Sequence, residues 1–234
     1  MKGLLLGFIL MSLVMLGALE KGNLQGYLQA HSLIIVLGGS IAIMVVANPI
    51  GVLKSILRSL KILSQRERDF NENKVSLMEL MKSRKLSSPC DDPLILYGVD
   101  LWEQGVDPDL FIVLVSQKKR ELESKTLDAV QALKNLAKYP PALGMLGTVI
   151  GMISLFAKLD QNKDHLGTSL SMAMTATFLG LILTNGIISP LADRLHVHHL
   201  QEQRYLENIY EILLLINRDE PMSLIREEMN HRAA

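Results

Sequence analysis

Four stretches of this sequence carry no acidic or basic side chain: Gly3 to Leu19, Ser32 to Leu53, Tyr139 to Ala157 and Leu166 to Ala192. The hydrocarbon core of a bilayer is about 30 Å thick, and roughly 20 apolar residues of helix cross it. All four stretches fall near that length. A core helix of a water-soluble protein keeps one wet face, so four charge-free stretches are foreign to such a fold. The expected fold is all-α: a polytopic membrane protein with four transmembrane helices and a helical cytoplasmic domain. Residues 1–53 form a transmembrane hairpin with spans at about 3–19 and 32–53. Residues 54–138 form the cytoplasmic helical domain, and residues 139–192 a second hairpin with spans at about 139–158 and 167–192. Residues 193–234 form a cytoplasmic C-terminal helix and tail. The first stretch also has the outline of a secretory signal peptide, because Met1-Lys2 precedes an apolar run. That run ends Leu16-Gly17-Ala18-Leu19-Glu20, with Leu16 where a cleavage site wants a small residue, so a retained span is expected.

Charge sets the orientation. The totals balance, 24 basic against 24 acidic residues, so no net field draws the chain to nucleic acid. The distribution is uneven: 15 of the 24 Lys and Arg lie between Lys54 and Lys138. Arg194, Arg204, Arg218, Arg226 and Arg232 follow the last stretch, whereas the short connectors hold only Lys21, Lys158 and Lys163. Basic residues near span ends mark the cytoplasmic side, here Lys54, Arg58, Lys61, Lys134, Lys138 and Arg194. The long segment and both termini are therefore expected in the cytoplasm, with the loops around Glu20–Ala30 and Asp160–His165 outside. Cys90 then lies on the reducing side without a disulfide partner.

Between the hairpins the pattern is helical. Ser64 to Arg84 is charged, with apolar Phe70, Val75, Leu77, Leu80 and Met81. Lys85 to Pro93 is a breaker cluster. Leu94 to Gln104 reads as a short helix closed by Gly105. Asp107-Pro108-Asp109 is a helix start, with Asp107 as N-cap and proline in the first position. The helix it opens carries Leu110, Leu114, Leu122, Val130, Leu133 and Leu136 and is expected to run unbroken to Pro140-Pro141.

The charge-free stretches offer small residues and hydroxyls. Ion pathways usually need an ionisable or liganding group at membrane depth, and no Asp, Glu, Lys or Arg lies there. Gly144, Gly147 and Gly151 share one helical face, bordered by Thr148. Ala173, Thr177, Gly180 and Thr184 make a comparable face on the last span. Such faces permit close helix approach, and Gly147-x-x-x-Gly151 fits that pattern. They serve either packing within one subunit or reception of helices from a second protein that supplies the missing carboxylate. His196, His198 and His199 lack the convergent ligands of a zinc site, so no metal is expected. No nucleophile elbow, P-loop or dinucleotide fingerprint is present, so no catalytic residue and no cofactor is expected.

Pro141-Ala142-Leu143-Gly144-Met145-Leu146-Gly147-Thr148-Val149-Ile150-Gly151 resembles the third-span signature of the MotA/PomA stator family, within the MotA/TolQ/ExbB proton-channel group. Gly167 through Leu195 is similar to its fourth span, including Asn185 and the exit Ser189-Pro190-Leu191-Ala192-Asp193-Arg194-Leu195. Val36-Leu37-Gly38-Gly39-Ser40 is similar to the second span, and Gly98-Val99-Asp100-Leu101 up to Gly105 to a cytoplasmic stretch.

The resemblance implies a flagellar-motor stator subunit in the bacterial inner (cytoplasmic) membrane. It implies a homo-oligomeric ring of five copies around a MotB-type partner that has a single span with an essential Asp and binds peptidoglycan. Protons or sodium ions flowing inward between ring and partner turn the ring against the rotor switch protein. A TolQ/ExbB-type energiser of an envelope process is the alternative. The resemblance makes Pro141 and Pro190 the coupling prolines, and Thr148, Thr177, Gly144, Gly147, Gly151, Ala173 and Gly180 the lining of the ion pathway. Hydroxyls at positions like Thr148 and Thr177 are associated in the family with sodium use. Arg84 sits where a rotor-facing Arg is expected. The acidic partner charge expected after it is missing, and Asp91 or Asp92 stands nearest.

The topology is directly testable. A cysteine introduced at Asn23 should react with a membrane-impermeant thiol reagent in intact cells, and native Cys90 only after permeabilisation. Labelling of Cys90 from outside would invert the assignment.

Overall fold

The computed structural model describes residues 2–18, 29–62, 70–86, 90–157 and 166–233. Among these residues the chain is helical, with no strand. Helix α1 is Lys2–Ala18 and α2 is Ala30–Ala47, which contains a π-helical turn at Ile34–Gly38. Asn48 and Pro49 break the chain before α3, Ile50–Ile62. A 3-10 turn, Phe70–Asn73, leads into α4, Lys74–Ser83. Next come α5, Pro93–Glu103, α6, Pro108–Leu136, and α7, Tyr139–Ala157. Helix α8, Leu166–Ile182, passes through a π-helical turn, Leu183–Ile188, into α9, Ser189–Asn217. Met222–Ala233 is α10.

Among the described residues, three helical stretches are long and apolar enough to cross a membrane, Ala30–Ala47, one within Pro108–Ala157 and one within Ser169–Asn217. They coincide with three of the four charge-free stretches. Helix α1 is apolar and has 17 described residues, Lys2–Ala18. The loops expected around Glu20–Ala30 and Asp160–His165, Asn23 included, fall almost wholly outside the described residues.

The chain divides into two compact units. The first comprises Met1–Ser64 and Asp128–Leu195. Its centre is the antiparallel pair α7 and α8, against which α2 packs. Hydrogen bonds fix α2 to α8: Gln29 Nε2 donates to Ser171 Oγ at 3.1 Å, and Ser32 Oγ to the Met172 carbonyl at 3.0 Å. A second apolar cluster joins Ile56 of α3 to Val130 and Leu133 of α6 and to Ile188, Ala192 and Leu195.

The second unit comprises Gln65–Leu127 and His196–Ala234. Its core gathers Leu77 and Leu80 of α4, Leu94 and Ile95 of α5, Phe111 and Val115 of α6, Leu206, Ile209 and Leu213 of α9, and Ile225 and Met229 of α10. Trp102 stacks on Phe111 with centroids 4.8 Å apart. The expected caps are present. Asp107 accepts from the Asp109 N–H at 2.9 Å at the start of α6, and Gly105, at φ 69°, closes the turn after α5. Gly105 has that left-handed conformation at no steric cost.

Three features depart from expectation. The stretch expected as the second span, 32–53, is not one helix, because the extended Asn48 and Pro49 end α2 at Ala47. The helix opened at Pro108 does not run unbroken to the prolines, because α6 stops at Leu136 and Ala137-Lys138 form a turn. Pro140 and Pro141 have no N–H for the carbonyls of Leu136 and Ala137, so the helical ladder is interrupted there. Asp92, expected among the surface charges, is 4% exposed. Its Oδ1 caps α5 by accepting from the N–H groups of Leu94 (2.9 Å) and Ile95 (3.0 Å), and its Oδ2 accepts from the Tyr205 hydroxyl at 2.6 Å.

That arrangement gives a stability prediction. Losing an N-cap costs about 1 kcal/mol, and losing a buried charge-assisted hydrogen bond roughly 1.5–3 kcal/mol. Asp92→Ala should lower the melting temperature of the purified protein by several degrees, whereas Asp91→Ala, at an exposed position, should leave it almost unchanged. Equal melting temperatures for the two variants would refute the buried-cap assignment.

Candidate functional site

The seam between α7 and α8 is built from residues without bulk. Gly144, Gly147 and Gly151 are buried on α7, facing buried Ala173 and Ala176 of α8. A methyl group on Gly147 would meet the Ala176 Cβ at 2.5 Å, and one on Gly151 the Ala173 Cβ at 2.6 Å. At Gly144 it would lie 2.9 Å from the Ala176 carbonyl oxygen. These glycines therefore set the distance between the helices, as small-xxx-small faces do in membranes. They do so within one chain. Gly180, also buried, is packed against the backbone of Pro140.

Thr148 and Thr177 stand at the edge of this seam and are partly exposed. Their hydroxyl oxygens are 2.5 Å apart. Thr148 Oγ1 lies 3.1 Å from both the Gly144 and the Ala173 carbonyl oxygens, and Thr177 Oγ1 lies 3.2 Å from the Gly144 oxygen. Two hydroxyls and two carbonyls thus converge. The two protons are used inside the cluster, while each hydroxyl oxygen retains lone-pair capacity. The group offers hard oxygen ligands to a cation and no ionisable group to carry a proton. Of the residues expected to line a pathway, these two are partly exposed at the seam, while Gly144, Gly147, Gly151, Ala173 and Gly180 are buried in it.

The prolines occupy equivalent places. Pro141 lies in the first turn of α7 and Pro190 in the first turn of α9, directly after the π-helical turn. Pro141 is half-buried and Pro190 exposed, and Asn185 is also exposed.

The expected rotor-facing charges fall in the second unit. Arg84 ends α4 in the left-handed region at φ 50°, where its N–H donates to the Leu80 carbonyl at 2.8 Å. Its guanidinium pairs with Asp219 at 2.5 Å, donates to the Ile216 carbonyl at 3.3 Å and lies 5.9 Å from the Trp102 ring centroid. Asp219, at φ 56°, is the second left-handed residue outside glycine. Nothing in the spacing of Arg84 and Asp219 announced this pair, since 135 positions separate them. Asp91 is exposed. On α6, the Lys125 and Lys118 ammonium groups hold the Glu121 carboxyl down to about 2.

No group of three or more His, Cys, Asp or Glu able to hold an ion occurs among the described residues. His199 is buried, which pushes its imidazole pKa down, and the neighbouring His196 adds to the shift. Burial pushes the Glu123 carboxyl up.

Long charge-free helices around a small-residue seam define an all-helical membrane protein. Residues 87–208 match the model of the MotA/TolQ/ExbB proton channel family, and the chain belongs to that family. It is 29% identical to the motility protein A of Treponema pallidum (strain Nichols) over 226 residues, 92% of this chain and 85% of that one. It is 22% identical to the chemotaxis protein PomA of Vibrio alginolyticus over 203 residues, 83% of this chain and 78% of that one. The fold resembles that of C. jejuni MotAB, with a TM-score of 0.83 at 17% identity over 98% of this chain and 94% of that one. It also resembles the flagellar MotAB stator complex of Bacillus subtilis, with a TM-score of 0.76 at 21% identity over 96% and 91% of the two chains.

The threonine pair makes ion choice testable. Thr177→Val keeps the shape and removes the oxygen; losing such a partner costs about 1 kcal/mol, a several-fold change in affinity. Swimming speed of the variant should need several-fold more external sodium to reach half its maximum, at unchanged protein level. Speed that ignores sodium in the parent and follows the proton gradient would return both threonines to packing.

Proposed function

We propose that this chain is the ion-conducting, torque-generating stator subunit of the bacterial flagellar motor, coupling inward flow of protons or sodium to rotation against the rotor. The observation that carries the reading is the family match together with spans that hold an oxygen cluster but no carboxylate. An ion pathway built on this chain needs a carboxylate from another protein. A MotB-type subunit with a single span and a peptidoglycan-binding domain supplies it in this proposal. The chain then forms a homo-oligomeric ring, a pentamer, around that partner in the inner membrane, with four spans and both termini cytoplasmic. Helix α1 provides the first span. No chemical step on a substrate is assigned to it, and the transported ion is cargo.

Pro141 and Pro190 are the coupling points of the mechanism. Each removes one backbone hydrogen bond where a helical segment begins, which weakens the ladder at a place that must bend. Thr148 and Thr177 border the pathway, and the buried glycines keep their helices close. Arg84 and Asp91 face the rotor. Asp92 has no part in this, because it is occupied in capping α5.

The relatives called motility protein A and PomA favour the flagellar reading over a TolQ/ExbB-type energiser. The experiment is co-expression with a single-span, peptidoglycan-binding candidate followed by reconstitution. The complex should carry proton or sodium flux, and this chain alone should show none above empty liposomes. Robust flux from the lone chain would sink the shared pathway.

A further inference from the structure

A proline leaves the carbonyl four residues earlier without its helical donor. For Pro141 that carbonyl belongs to Ala137. Here it has a partner: Thr184 Oγ1 donates to the Ala137 oxygen at 2.9 Å, across 47 positions of sequence. Thr184 is buried, 8% exposed. One helical turn before it lies Gly180, which a side chain would force against the backbone of Pro140 and Pro141. The last span thus presents a glycine and a hydroxyl, four residues apart, to the proline break before α7. The glycine admits the displaced backbone, and the hydroxyl replaces the missing N–H.

The same residue reaches the second proline. Thr184 lies in the π-helical turn Leu183–Ile188, and its own carbonyl accepts the N–H of Ser189, the residue before Pro190. Pro190 cannot donate to the Gly186 carbonyl, and the five-residue bond from Ser189 to Thr184 is part of how the ladder reforms at that break. π-helical turns of this kind are often found at functional sites. The Thr184 side chain and main chain therefore bond to the two proline breaks at once.

The geometry points to Thr184 as a positioning residue that ties the bend at Pro141 to the bend at Pro190, so that the two helical breaks move together. It rests on the reading of these prolines as coupling points. Ser and Thr side chains are known to take up backbone groups freed by proline in membrane helices. Here the donor comes from a different helix, which makes the bond a link as well as a repair.

The test uses the complete complex in motile cells and after purification. Thr184→Val and Thr184→Ala remove the donor, and Thr184→Ser retains it. Both donor-less variants should swim at half the parent speed or less with complex abundance unchanged, and the serine variant should swim close to the parent. Purified complex should show where the bond acts. Thr184→Val should lower the melting temperature in the parent. In a Pro141→Ala background it should do so by less than half as much, because the alanine N–H can bond the Ala137 carbonyl itself. Parent-like swimming by the valine variant, equal slowing by serine and valine, or an equal melting shift in both backgrounds would each overturn the assignment. Normal swimming by Pro141→Ala would remove the coupling role of the proline and with it that of Thr184. That failure is recognisable, because the melting difference between backgrounds would persist while the motility effect would not.

Discussion

The close approach of α7 and α8 is the contact on which the first unit depends. In lipid there is no hydrophobic gain from bringing two apolar helices together, so association relies on packing and on hydrogen bonds. Gly144, Gly147 and Gly151 allow Ala173 and Ala176 to come nearly into backbone contact. At that distance Thr148 reaches the Ala173 carbonyl and the Thr177 hydroxyl, which a seam with larger residues would hold apart. The oxygen cluster is thus a consequence of the glycines. The glycines stay buried themselves and act on the hydroxyls only by holding the two helices close.

The charge-free stretches and the caps were legible in the sequence because they depend on local properties, but the helix break at Asn48 and Pro49, inside the stretch expected as the second span, was not read there. Absence of charge over about 20 residues is a statement about solvation that needs no neighbours. Asp107 and Gly105 act within a few positions of themselves, so their roles followed from residue type and place. The glycine and alanine faces were visible as a period, but whether they served a partner or the same chain was not. A period says that a face is small and says nothing about what meets it. Three of the expected spans reach membrane-crossing length among the described residues, and α1 is the shorter one already at the level of sequence.

What was not legible depends on distant pairs. Asp92 looked like one more charge in a breaker cluster, and its spacing ahead of Pro93 also fits an N-cap. Its burial follows from Tyr205, 113 positions away. Arg84 likewise finds Asp219 across 135 positions. Both residues of that pair adopt left-handed backbone conformations at helix ends, where the sequence offers no glycine. The pair is largely solvent-exposed, so its contribution to stability is small. Its effect is on direction: the guanidinium is held beside Trp102 and the Ile216 carbonyl.

The two prolines show how a helix can be interrupted while a carbonyl freed by proline still finds a donor. A carbonyl shut away from water without a donor costs about 1–3 kcal/mol, so a break inside a packed protein is costly unless another group repairs it. The break before α7 is closed by a hydroxyl from the last span, and the ladder ahead of α9 is rejoined through a π-helical turn. Each repair uses a partner that can be exchanged: a side-chain hydroxyl can rotate to another acceptor, and a π-helical turn can revert to the α register by shifting its bonds by one residue. A regular helical ladder offers neither freedom. The helices therefore keep their backbone groups satisfied while retaining two places where the bonding can change, and Thr184 belongs to both.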